Sequence, residues 1–282
     1  MTDSKLSQSI KARLLNMAKG DNASYQQLIV RFFHERLLLR LSKSTYREKF
    51  VLKGGTLLYA FDEIVARPTL DIDFMGKGIS NDKEYLVKVF KEIVSIKVPE
   101  DGIRFIPDSI KATEITIEKK YPGVRISMSA TLGTYLQVLR FDIGFGDVIF
   151  PRPIEMDYPT IFNNVEAPNI IVYSLESVMA EKFHSIIDRG RFNSRMKDYY
   201  DLYRIFSVHI FEAPLLLDAI KATFENRGME LGPKYDFFKN DFGKDEMMTR
   251  QWNAYKRKMK LDLPSFEEIH QTIRTYIESI IL

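Results

Sequence analysis

Asp71 and Asp73 stand one residue apart in the run RPTLDIDF at positions 67–74. Alternate side chains of an extended strand leave on the same face, so two carboxylates separated by one apolar residue form a two-point clamp for a hard divalent cation. Upstream, FVLKGGTLL at positions 50–58 reads as an apolar strand that breaks at Gly54 and Gly55 and continues as a helix. Glycine lets the backbone approach a ligand closely, and the first turn of a helix offers unpaired N–H groups to phosphate. Thr56 adds a hydroxyl there. A third carboxylate, Asp142, lies in LRFDIG at positions 139–144, flanked by apolar residues on what reads as a neighbouring strand. An Asp-x-Asp pair alone is as readily a turn or a cap. Charges flanked by Leu70, Ile72 and Phe74 are costly to bury without a partner, however, and a cation is the economical one. Phosphate cradle, paired Asp and lone Asp together suggest metal-dependent transfer of a nucleotide.

The order hydrophobic-Gly-Gly, Asp-x-Asp, apolar-Asp-apolar resembles the signature of the polymerase-β-type nucleotidyltransferase superfamily. Fuller strings narrow the resemblance. LKGGTL at positions 52–57, RxTxDID at 67–73, Glu181-Lys182, and Lys197-Asp198 followed by Asp201-Leu202 are similar to those of the AbiEii/AbiGii group. These are the toxin halves of type IV toxin–antitoxin and abortive-infection systems, and the likeness spans about residues 45–210. It implies an α/β (α+β) core with a mixed sheet, in which Asp71, Asp73 and Asp142 hold magnesium, with manganese as the alternative. It implies further that Gly54, Gly55 and Thr56 hold the triphosphate of an NTP and that Lys182 contacts its β or γ phosphate. Asp198 belongs to the catalytic set in this reading. Asp201 and Arg189, with Arg191 and Arg195 nearby, belong with the nucleotide. The implied acceptor is an RNA, foremost a tRNA 3′ end, and the implied partner is a cognate antitoxin encoded next to the toxin.

The residues by themselves leave alternatives open in the second half. Lys182 sits among apolar neighbours, which suits a half-buried point charge for phosphate and equally a salt bridge to Glu181 or Asp198. Asp198 and Asp201 share a helix face at i and i+3, where carboxylates in a first turn are commonly dipole partners.

Composition excludes several classes. There are no cysteines, so disulfides, thiolate zinc sites and cysteine nucleophiles are out, and any metal rests on oxygen ligands, which favours magnesium or manganese. His34, His184, His209 and His270 lie far apart in sequence without zinc-site spacing. Neither a signal peptide nor an apolar run of spanning length stands out, and the expectation is a cytoplasmic protein with no membrane partner. Net charge is +3, but residues 1–53 hold 11 Lys plus Arg against 4 Asp plus Glu, a net of +7. A basic arm beside a metal site suits a polyanion; solvated helix faces explain it equally well.

The elements that must carry these residues follow from periodicity. Ser24 and Gln27 have capping-box form ahead of a long helix reaching Lys43, and a short helix at 45–49 leads into the glycine turn. Residues 82–97 read as a helix. Two-residue alternation then predicts strands at 103–106, 110–117, 124–130 and 135–145. Pro151, Pro153 and Pro159 mark a linker-like crossing, with helices expected after it at 175–189, 195–206, 213–226, 246–260 and from 265 onward, and a loop at 231–245. The division expected is 1–160, a nucleotidyltransferase-like α/β domain with N-terminal helices, and 161–282, a helical domain contributing to the nucleotide site. Two rival functions are an inactive nucleotide- or partner-binding module of the same fold and a metal-dependent phosphodiesterase.

Overall fold

The computed structural model describes residues 3–20, 24–61, 69, 71–117, 121–260 and 262–281. Arg67, Pro68 and Leu70, part of the string on which the resemblance was read, lie outside these. The chain forms two compact units: residues 1–146 with 153–173, and residues 147–152 with 174–282. Positions 160 and 161, where the sequence suggested a division, both lie in the first.

The first unit opens with helices α1 (Asp3–Gly20) and α2 (Tyr25–Ser42). Ser24 and Gln27 form the expected reciprocal cap. A seven-stranded mixed sheet follows in the order β3-β4-β5-β2-β1-β7-β6. Its members are β1 (Phe50–Lys53), β2 (Asp71–Gly76), β3 (Ile103–Ile117), β4 (Tyr121–Leu132), β5 (Tyr135–Phe145), β6 (Ile154–Asp157) and β7 (Asn169–Val172). β2 runs parallel to β5 and β1 parallel to β7; the other neighbours are antiparallel. The strands expected at 103–106 and 110–117 are one strand interrupted by a register shift between Ile106 and Lys111. β6 lies in the stretch read as a proline-marked crossing, and β7 beyond it, where the expectation was a helical part.

Helices α3 (Gly54–Phe61) and α4 (Lys83–Val94) complete this unit. Phe90 of α4 packs against Phe50 and Phe141 with ring centroids 5.1 and 4.6 Å apart, and Phe74 meets Phe141 at 6.3 Å. Each such buried aromatic stabilises by roughly 1.5–3 kcal/mol through area alone. That cluster determines which way β2 and β5 face. Ile72, Phe74, Phe141 and Ile143 go inward, and a one-residue slip would exchange them for Asp71, Asp73 and Asp142.

Part of the basic N-terminal segment is used internally. Arg36 is 1% and Arg40 3% exposed. Arg40 donates to Asp101 at 2.6 Å, and Arg36 pairs with the buried Glu35, which also accepts from the Ile161 amide at 2.7 Å. Burial pushes both carboxyls up, against the pull of these guanidiniums. Arg13 stacks over Phe162 and Arg31 over Tyr59. Neither a polyanion-binding arm nor a solvated face describes Arg31, Arg36 and Arg40, whereas Lys5, Arg13, Lys19, Lys43 and Lys49 are exposed.

The second unit is helical: α5 (Leu175–Arg189), α6 (Met196–Val208), α7 (Ala213–Asn226), α8 (Glu246–Met259) and α9 (Phe266–Ile281). Ser174 caps α5, and Ser265 with Glu268 caps α9. The expected loop 231–245 carries two single 3-10 turns that bury Phe237, Phe238 and Phe242, the first two against Phe183 of α5. Trp252 is fully buried and donates to the Pro264 carbonyl. A mixed sheet followed by a helical half is thus the architecture. Among the described residues no helix is long and apolar enough to cross a membrane.

Candidate active site

The register brings the three sheet aspartates together. Asp73 of β2 is the direct partner of Asp142 on the parallel β5, and Asp71 is one step along, opposite Arg140. Neighbouring strands lie about 4.8 Å apart and register partners share a face, so all three carboxylates leave the sheet on the side away from the aromatic core. Asp71 is exposed; Asp73 and Asp142 are half-buried.

The glycine turn explains itself at this point. Gly54 has φ +72°, and a Cβ placed on it would stand 2.2 Å from the Asp73 Oδ2. Backbone and carboxylate are in direct contact, which only glycine allows. Thr56 is buried, and its hydroxyl donates to the Asp71 carbonyl at 3.0 Å, joined there by the Thr69 hydroxyl at 3.1 Å. In this arrangement Thr56 fastens the start of β2. Gly55, buried in the first turn of α3, has its amide among the groups at that helix's N-terminus.

Two cations near the carboxylates were not singled out from sequence. Lys53, assigned no role there, is the register partner of Asp73 on the same face, nearly buried, with its ammonium 5.3 Å from the Tyr173 ring centre. Strand parity beside Asp73 was the signal available. Arg125 of β4 is the partner of Asp142 and holds both its oxygens, at 2.7 and 2.8 Å. The bond to Asp142, and the nearby charges of Asp71 and Asp73, hold the guanidinium more firmly protonated than usual. Arg125 lies in an alternating strand, VRISMSA, that from sequence alone offered only a pattern.

A divalent cation is what this donor set suits chemically, since all three groups are hard oxygen donors on one face. With Arg125 bidentate on Asp142 the carboxylates do not form a closed ligand group, and among the described residues no three or more His, Asp or Glu side chains are set to hold a metal ion.

The second cluster lies within the helical unit. The Lys182 ammonium donates to Asp201 at 2.6 Å and to Asp198 at 3.4 Å; Arg195 donates to Asp198 at 2.7 Å, and the Ser185 hydroxyl donates to Asp198 at 3.4 Å. Burial pushes the Asp198 carboxyl up, but Lys182 and Arg195 outweigh it and hold the group below the usual carboxylate range. Asp201 is thus the shorter partner of Lys182. Glu181, considered as another, faces Arg227 at 3.5 Å. Arg191 is tied to Asp241 and Asp245. Arg189, half-buried at the end of α5, forms no ion pair among the described residues.

A mixed sheet presenting three carboxylates beside a glycine turn, followed by a helical unit, defines the class as nucleotidyltransferase. The chain belongs to the AbiEii family, nucleotidyl transferase toxins of type IV toxin–antitoxin systems, whose model matches residues 36–275. No curated protein matches it. Similar solved structures include a proposed nucleotidyltransferase from H. pylori, 18% identical over 92% of this chain and 96% of that one, with a TM-score of 0.48. Another is JHP933 from Helicobacter pylori, 18% identical over 87% and 88%, with a TM-score of 0.46. Membership in a type IV toxin family implies a nucleotide substrate and an antitoxin partner.

Proposed function

We propose that the protein transfers a nucleoside monophosphate from an NTP to an RNA acceptor, foremost a tRNA 3′ end, with Mg2+ as cofactor, and that this transfer is its toxic activity. The observation that carries the reading is the shared face of Asp71, Asp73 and Asp142 with the Gly54 backbone pressed against the Asp73 carboxylate. Asp71, Asp73 and Asp142 would hold the cation. When bound, it supplies Lewis-acid polarisation of the α-phosphate and eases deprotonation of the attacking hydroxyl. The chain's own residues bind and orient. Amides of the first turn of α3 receive the triphosphate, Thr56 and Thr69 keep Asp71 in place, and Lys53 moderates the repulsion among the carboxylates.

Purified protein incubated with total tRNA, Mg2+ and each labelled NTP in turn tests the activity. Asp73→Asn, which removes charge from a preorganised site, should lower transfer at least ~100-fold at an unchanged thermal midpoint. Comparable rates in the two proteins would sink the carboxylate assignment.

One observation favours a second reading, a module that binds nucleotide without turnover: Arg125 already compensates Asp142. Its mark would be nucleotide binding with no labelled RNA under any NTP. Lys182, Asp198, Asp201 and Arg189 enter the proposal through nucleotide affinity, which Lys182→Ala at retained folding should weaken if the ammonium serves phosphate.

A further inference from the structure

The face of the sheet that presents the carboxylates does not end with them. Register partners share a face, so it can be followed across β5, β4 and β3. One cross-strand row runs Asp71, Arg140, Ser127, Lys111; two rows along lies Leu136, Thr131, Arg104, with Val138 and Ser129 between. The opposite face of these strands is core, lined by Ile126, Met128, Ala130 and Leu139. The outward face is open: Arg104, Lys111 and Arg140 are exposed, and so are Leu136 at 59% and Val138 at 48%.

Its charge is one-sided. Arg104, Lys111 and Arg140 form no ion pair among the described residues, unlike Arg36 and Arg40 of α2. No residue that the register places on this face between Arg104 and Asp142 is Asp or Glu, and Asp108, in the register shift of β3, pairs with Lys91 of α4. At roughly 4.8 Å per strand, Lys111 stands about 14 Å from Asp71, and rows two residues apart are about 7 Å distant along the strands. Cations at this spacing, with half-buried hydroxyls of Ser127, Ser129 and Thr131 between them, match a run of backbone phosphates. Leu136 and Val138 offer apolar contact to sugars or bases.

We propose that the outward face of β3, β4 and β5 is the track on which the acceptor RNA lies, its phosphates on Arg104, Lys111 and Arg140, leading the acceptor end to the carboxylates. Charge complementarity and continuity with the carboxylate face argue for this occupant. The inference rests on the RNA-transfer reading above and adds where the acceptor binds.

The test is the full-length Arg104→Glu/Lys111→Glu protein, since neither residue touches the carboxylates. Fluorescence anisotropy with labelled tRNA over a salt series, and transfer kinetics in both substrates, are the readouts. RNA affinity and RNA KM should worsen at least ~10-fold. The slope of log affinity against log salt should lose about 1.4, two phosphate contacts at about 0.7 each for single strands. NTP KM and the thermal midpoint should stay as in the wild type, and Arg104→Lys/Lys111→Arg should retain RNA binding. Unchanged RNA affinity and salt slope in the charge-reversed protein would overturn the track even if transfer to RNA is robust. A wild type that binds RNA, loses that binding on charge reversal, yet transfers nothing would leave the track standing and remove the transfer reading. A wild type that binds no RNA removes both.

Discussion

Gly54 is the residue at which backbone conformation and site chemistry meet. Its φ of +72° lies where an L side chain costs about 1–2 kcal/mol, and an added methyl would also drive into the Asp73 carboxylate. Gly54→Ala should therefore do two separable things: lower stability by about that amount and displace a carboxylate that β2 otherwise holds. The expected result is a thermal midpoint reduced by several degrees, with nucleotidyl transfer down ~100-fold or more, beyond what lost folding explains. A thermal scan beside a rate measured well below the transition checks it; normal activity would mean that the Asp73 position is not critical. Arg125 shows the limit of single-residue reading. Nothing in its sequence surroundings separates it from any other exposed strand cation, and only the pairing of β4 with β5 sets it on Asp142.

At the scale of elements, what could be read from the sequence was what is local. Capping boxes at Ser24 and Ser265, the strand–glycine–helix passage at 50–61 and the alternation of β4 and β5 all depend on neighbours in sequence, and each is present. β6 and β7 escaped because four-residue strands near prolines carry little periodic signal, and β7, on which β6 pairs, is itself placed by β1, more than a hundred residues away. The same holds for charge: a tally of residues 1–53 cannot tell that Arg40 will meet Asp101. In the α5–α6 pair, a bridge from Lys182 to Asp198 could be read as one alternative, but not that Asp201 would be the nearer partner. The structure joins all three with side chains at most 10% exposed. Breaking such a buried pair leaves carboxylates uncompensated and commonly costs about 3–5 kcal/mol. Lys182→Ala should lower stability by that order, and adding Asp201→Asn should return part of it, a coupling that a double-mutant cycle in denaturant measures. Additive losses would show that the ammonium and Asp201 do not depend on each other. Nucleotide affinity measured in the same variants separates this packing role from a phosphate contact.

For the whole molecule the question is whether toxicity is turnover or capture. The family is one of toxins, and both readings predict that inducing the chain in bacteria without an antitoxin slows growth. They part at Asp73. If the harm is done by modifying RNA, Asp73→Asn removes it while the protein accumulates to wild-type levels, because the exchanged carboxylate lies on the solvent side of β2 and the aromatic core behind it is untouched. If the harm is done by holding a nucleotide or a partner, the same substitution relieves carboxylate repulsion, leaves the binding surfaces intact, and growth stays arrested. Matched induction of the two proteins, with growth rate and soluble protein followed together, decides between them. Relief of arrest at equal soluble protein is the expected outcome. Arrest that persists with Asp73→Asn would move the toxic activity away from the three carboxylates.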